Sequence, residues 1–104
     1  DQAYFDWATQ QVVQAREQLT QHLKTLGFEV LPSKTNFVFA RHHTIKGAEL
    51  TEKLRVHRIL IRNFNLPRIS EFVRITVGTF DECKRLINSI ALILEVDSPQ
   101  KNLN

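Results

Sequence analysis

Two β-rich runs, Phe28 to Leu31 and Asn36 to Arg41, are separated only by the turn Pro32-Ser33-Lys34-Thr35. They stand too close for a helical crossover, the connection that parallel neighbours require. Ahead of them, apolar residues at Phe5, Ala8, Val12, Ala15, Leu19, Leu23 and Leu26 keep a three-or-four spacing, which predicts one long amphipathic helix ended by Gly27. Behind them, Ala48, Leu50 and Leu54 predict a shorter helix from about Ile45 through Val56, and Ile59-Leu60-Ile61-Arg62 reads as a third strand. Asn63 to Ser70 reads as a loop. Phe72 to Val77 then alternates, with Val73, Ile75 and Val77 on one side and Phe72, Arg74 and Thr76 on the other. Thr79 and Glu82 have the spacing of a capping box, and Cys83, Ile87, Ile90 and Leu94 form the inner stripe of a last helix. The resulting order is α-β-β-α-β-β-α. It predicts an α+β fold, a small sheet of three to four strands covered mainly on one side by helices.

The chain has 104 residues, 42% of them hydrophobic, enough for one domain over residues 1–96 with 97–104 as a frayed tail. A domain of that size has little room to enclose a cofactor cleft. The single cysteine, Cys83, excludes an internal disulfide and a cysteine-rich zinc site. No apolar run approaches the roughly 20 residues of a membrane span. The chain opens inside a predicted helix and contains no methionine, so it is expected to be a piece of a longer product.

Fourteen Lys and Arg against eleven Asp and Glu leave a net charge of +3, too little to imply nucleic acid without further support. The bases are concentrated: Lys53, Arg55, Arg58, Arg62, Arg68 and Arg74 share their stretch with one acid, Glu71. For a charge run taken alone a solvated basic face is the default reading, and an anion to be bound is the alternative. Arg62 and Arg74 stand out because each falls on a predicted strand, where an unpaired guanidinium on a dry face is expensive. Two arginines there could each make a bidentate contact to a phosphate or carboxylate. For Arg74 an exposed edge or an ion pair with Glu71 is the structural alternative. The His42-His43 pair has no Cys or carboxylate at ligand spacing, so no metal site is expected. Cys83 reads as a small buried hydrophobe and not as a nucleophile. Gly27, Gly47 and Gly78 are too far apart in sequence for a phosphate loop.

The string Val73-Arg74-Ile75-Thr76-Val77-Gly78-Thr79, preceded by Ile59 to Ile69, resembles the closing segment of histidinol-phosphate aminotransferases. Leu26-Gly27-Phe28, Pro32-Ser33, Asn36-Phe37 and the Arg16-Glu17 pair are similar to the approach to that segment in the same family. The similarity runs from about Val12 to Ile93 and corresponds to the final third of such an enzyme.

The resemblance implies the C-terminal small domain of a pyridoxal-phosphate (PLP) aminotransferase of the aspartate-aminotransferase fold, acting on histidinol phosphate and 2-oxoglutarate in histidine biosynthesis. It implies a cytoplasmic homodimer. It gives Arg74 the anionic end of the substrate and Arg62 the substrate phosphate, with Asn36 and Asn63 as possible supporting residues. Asn36 would tie down backbone beside the site through its side chain. Asn63 stands where many family members have Asp, so a carboxylate orienting Arg62 is missing or comes from elsewhere. Transamination needs a Schiff-base lysine, an acid facing the pyridinium nitrogen and a phosphate cup. The family draws these from its large domain, so this chain is expected to hold no catalytic residue, no cofactor and no metal, and to be inactive alone. Threonine-phosphate decarboxylase-like enzymes share the architecture. The remaining alternatives are a free-standing small-ligand domain, or an RNA-binding module stacking bases on Phe37, Phe39 or Phe72, although the basic-Gly-aromatic pattern of the common RNA-binding domain is absent.

Overall fold

The computed structural model of the chain describes residues 2–96, with side chains described from 8 to 95. The expected tail, 97–104, and the Phe5 side chain therefore lie outside the described residues. Helix α1 spans Gln2–Thr25, followed by strands β1, Phe28–Val30, and β2, Phe37–His42. Helix α2 spans Gly47–Val56, strand β3 Arg62–Asn63, strand β4 Val73–Thr76, and helix α3 Phe80–Val96. The architecture is α+β in the expected order. All strand pairs are antiparallel and the sheet runs β1-β2-β4-β3, so β4 is an inner strand.

Alternation along β2 and β4 decides which face is covered. Val38 opposes Ile75 and Ala40 opposes Val73; all four are buried against the helices, together with Val77. The helical layer contributes Ala15, Leu19 and Leu23 from α1, Leu50 and Leu54 from α2, and Leu86, Ile90 and Ile93 from α3. The expected stripe of α3 is thus displaced: Ile90 is at its centre, while Cys83, Ile87 and Leu94 pack partly buried at its margin. In α2 the expected Ala48 is exposed, and Ile45 just before the helix and Thr51 within it are buried instead. Thr51 tolerates burial because its hydroxyl donates to the Gly47 carbonyl at 2.7 Å.

Local chemistry sets the element ends. Gly27, at φ +98°, turns the chain out of α1, and a Cβ there would meet the His42 and His43 rings at 2.7–3.0 Å. The expected strand Ile59–Arg62 is reduced to Arg62–Asn63. Its first N–H is spent on the end of α2, where Arg58 adopts φ 63° and Ile59 donates to the Leu54 carbonyl. Leu60 is 80% exposed, consistent with a connector and not a buried strand. Phe72 N–H likewise bonds the Ile69 carbonyl in a turn, so β4 begins one residue later than its alternation suggests.

The capping box at the start of α3 is present. Glu82 N–H donates to the Thr79 hydroxyl at 3.1 Å, and Thr79 N–H donates to the Glu82 carboxylate at 2.8 Å. The Thr79 N–H, followed by the Thr79 hydroxyl, lowers the Glu82 carboxyl below its ordinary value. Thr79→Ala is expected to lower unfolding stability by about 1 kcal/mol, read from the urea midpoint; an unchanged midpoint would remove the cap from the stability of α3.

His42 makes the corner between β2 and α1 sensitive to acid. Its Nε2–H donates to the Leu26 carbonyl at 2.8 Å, which leaves Nδ1 to accept from Thr44 N–H at 3.1 Å. The ring meets Phe28 edge-on at 4.9 Å and stacks on His43 at 4.4 Å. Burial, followed by the neighbouring His43, lowers the His42 pKa below 6.5, outweighing the opposing effect of the Leu26 carbonyl. The folded state therefore favours the neutral ring. Its contribution to stability is complete above the unfolded value of about 6.5 and declines as pH falls through that value toward the lower folded one. Denaturation midpoints between pH 7.5 and 5 are expected to fall with acid in the wild-type chain and to fall less in His42→Gln.

Candidate functional site

The face of the sheet opposite the helices carries the arginines. Arg62 and Arg74 are direct cross-strand partners between β3 and β4, and Arg74 also opposes Phe39 of β2. Residues directly opposite in an antiparallel pair share a face, so both guanidinium groups project from the side that the helices leave open. The two residues expected from sequence to act together are brought together.

Neither alternative for Arg74 holds. Its strand is not an edge, and among the described residues the ion pairs are Arg41–Glu29, Lys53–Glu49 and Arg55–Glu52, with none to Glu71. Aromatic rings occupy the positions where acids might have been. The Arg74 guanidinium carbon lies 4.4 Å from the Phe37 ring centroid and 5.6 Å from that of Phe64, while that of Arg62 lies 5.1 Å from Phe64. Phe64 in turn stacks on Phe39 at 6.5 Å. Each ring attracts a cation through its negative face yet takes none of the guanidinium hydrogen-bond donors. The donors stay available to an anionic ligand.

The strand ends hold this cluster in place. Ser33 Oγ donates to the Phe37 carbonyl at 2.6 Å, and Arg16 of α1 donates to the Thr35 carbonyl at 2.7 Å, pinning the turn that leads into β2. Asn36 is exposed, and it serves through its backbone: its carbonyl accepts Val77 N–H at 2.7 Å. The expected tie from its side chain is not among the hydrogen bonds of the described residues. Asn63 alternates away from Arg62, and its Nδ2 donates to the carbonyls of Ser70 at 2.8 Å and Phe72 at 3.0 Å. It braces the 64–72 loop and does not orient Arg62; a carboxylate could supply neither donor.

Sequence reasoning missed Phe64, Gly47 and the brace made by Asn63. Phe64 lies in the loop just beyond β3, where strand alternation gives no signal. Gly47 gave no local signal, because its constraint comes from the distant loop whose Asn63, Ser70 and Glu71 atoms a Cβ there would meet at 2.6–3.1 Å.

Elsewhere the described residues offer little chemistry. Burial raises the Cys83 thiol, leaving it protonated and packed beside the core. No group of three or more His, Cys, Asp or Glu is placed to hold a metal among the described residues. No described helix is long and apolar enough to cross a membrane. Described lysines sit on helices or flank them, apart from Lys34 in the β1–β2 turn; all are exposed except Lys53, which pairs with Glu49.

Comparisons with known proteins show what the chain is similar to. The chain is 48% identical over 94 residues to the histidinol-phosphate aminotransferase of Acinetobacter baylyi, covering 90% of this chain and 26% of that protein. It thus spans about a quarter of that relative's length. Among solved structures, the putative histidinol-phosphate aminotransferase of Erwinia carotovora superposes with a TM-score of 0.82 at 23% identity, covering 93% of this chain and 28% of that one. The Sinorhizobium meliloti histidinol-phosphate aminotransferase, in complex with pyridoxal-5'-phosphate, gives 0.79 at 22% identity, covering 94% and 27%. The L-threonine-O-3-phosphate decarboxylase of Porphyromonas gingivalis gives 0.69 at 28% identity, covering 83% and 26%. The family profile "Aminotransferase class I and II" matches residues 1–90, nearly the whole described region. That match over most of its length makes the chain a member of the aminotransferase class I and II family.

Proposed function

We propose that this chain is the C-terminal, substrate-clamping small domain of a PLP-dependent aminotransferase that moves the amino group of histidinol phosphate to 2-oxoglutarate. The observation that carries this reading is the direct pairing of Arg62 with Arg74 on the open sheet face, with aromatic neighbours and, among the described residues, no acid paired to either. Two unneutralised forks side by side suit a phosphate or a dicarboxylate. The 48% identity to a histidinol-phosphate aminotransferase supports the substrate.

PLP, when bound, supplies the electron sink for the transfer, and its lysine, its acidic partner and its phosphate cup are assigned to polypeptide beyond this chain. The arginines hold the substrate by its anionic end, fix its reach toward the reacting centre and help exclude water as the two domains close. The same clamp takes the phosphorylated amine and then 2-oxoglutarate, and it is expected to work in a cytoplasmic homodimer.

The test is an assay of the full-length protein. With histidinol phosphate and 2-oxoglutarate it should form glutamate and the corresponding phosphorylated ketone. Release of carbon dioxide from O-phosphothreonine, without transamination, would favour the decarboxylase reading that the Porphyromonas gingivalis structure supports. Tight, steeply salt-dependent binding of single-stranded RNA would favour the binding-module reading over both.

A further inference from the structure

We propose that Phe64 is a positioning residue for the anion clamp, its ring holding the Arg62 and Arg74 guanidinium groups side by side without neutralising them. The inference rests on the proposed function and names a residue that makes the clamp usable.

Like charges directly opposite one another in an antiparallel pair repel. Arg62 and Arg74 are so placed, and among the described residues neither has an acidic partner. Without a restraint, long side chains in that situation turn apart into solvent. Phe64 supplies the restraint, since it is the one ring of the cluster that both guanidinium groups approach, Arg62 at 5.1 Å and Arg74 at 5.6 Å. Phe37 of β2 also approaches Arg74, at 4.4 Å, so two rings lie against that guanidinium.

Phe64 is itself held. It is partly buried and stacks on Phe39 with an interplanar angle of 29°, and the preceding residue, Asn63, is tied to Ser70 and Phe72. A carboxylate at this place would also gather the two arginines, but it would occupy their donors and cancel charge that the substrate needs. An aromatic ring attracts the cations and leaves every N–H free. The cost of assembling two positive charges is thereby met before the anion arrives, so less of its binding energy goes into ordering the site.

The experiment uses the full-length holoenzyme with histidinol phosphate as amino donor. Phe64→Leu keeps apolar volume and removes the π face; Phe64→Tyr keeps both. The leucine variant should raise KM for histidinol phosphate about 5- to 30-fold, as expected for loss of a partly desolvated cation–π contact, with kcat within about twofold. KM for histidinol without its phosphate should stay unchanged, and the tyrosine variant should return KM to within about twofold of wild type. If the leucine variant does not fold, Phe64→Met takes its place with the same expectations. Unchanged KM in the leucine or methionine variant, while Arg74→Ala raises it, overturns the role of Phe64 and leaves the clamp standing. Equal losses in the leucine and tyrosine variants, or equal losses with and without the substrate phosphate, overturn it in favour of a packing role. An Arg74→Ala enzyme with wild-type KM and kcat would defeat the clamp reading itself.

Discussion

Arg74→Ala in the full-length enzyme is expected to reduce kcat/KM for histidinol phosphate by about 1.5 to 3.7 orders of magnitude, the equivalent of about 2–5 kcal/mol for truncating one side of a desolvated ionic contact. The expectation follows from position. Arg74 projects from an inner strand, with the Phe37 and Phe64 rings near its guanidinium, on the side that the helices leave uncovered. Arg74→Lys should recover part of the loss, since a lysine keeps the charge but not the planar pair of donors. Steady-state kinetics on the two variants decide the matter: a specificity constant unchanged in Arg74→Ala would contradict the assignment, and a lysine enzyme equal to wild type would show that charge alone suffices.

Gly47→Ala should destabilise the chain by about 1–3 kcal/mol, the usual range for forcing a methyl group into an already packed site. Alanine is the better helix former by about 1 kcal/mol in a helix interior, but Gly47 is the first residue of α2, where that advantage is small. A Cβ there would stand 2.6 Å from Asn63 Nδ2, 3.0 Å from the Glu71 carbonyl and 3.1 Å from the Ser70 carbonyl. Two of those neighbours are backbone and cannot swing aside. The third is the amide that braces the loop, so relief by moving Asn63 breaks its bonds to Ser70 and Phe72. Urea unfolding should show a lower midpoint with an unchanged slope. Because Asn63→Ala removes one of the colliding atoms, the two substitutions together should cost less than their sum. Strict additivity, or an alanine variant as stable as wild type, would show that the helix and the loop do not meet as described.

Period-two alternation in Val73 to Val77 was enough to place Arg74 on the open face, and the Thr79-Glu82 spacing was enough to begin α3, since both signals are local and neither has a strong competitor. The short turn after Leu31 likewise fixed the relation of β1 to β2. Ile59-Leu60-Ile61 misled because β-branched composition describes a preference, whereas the chain there is committed to closing α2 through Ile59 N–H. Ala48 misled for a related reason: with Ile45, Leu50 and Leu54 already filling the covered side, the small residue was turned to solvent. For the site, the arginines were legible from charge and strand position. Their partners were not, because a search for counter-ions looks for acids, and here the neighbours are rings reached across three strands. Asn63 shows the same limit, as its identity suggested a lost carboxylate while its contacts show a brace facing the other way.

A structure of the full-length holoenzyme with histidinol phosphate bound tests the clamp most directly. Hydrogen bonds from both Arg62 and Arg74 to oxygens of the same phosphate, with the rings of Phe37 and Phe64 still against the guanidinium groups, are the expected result. A phosphate seated elsewhere, with the two side chains turned into solvent or occupied by acids of another domain, would contradict it.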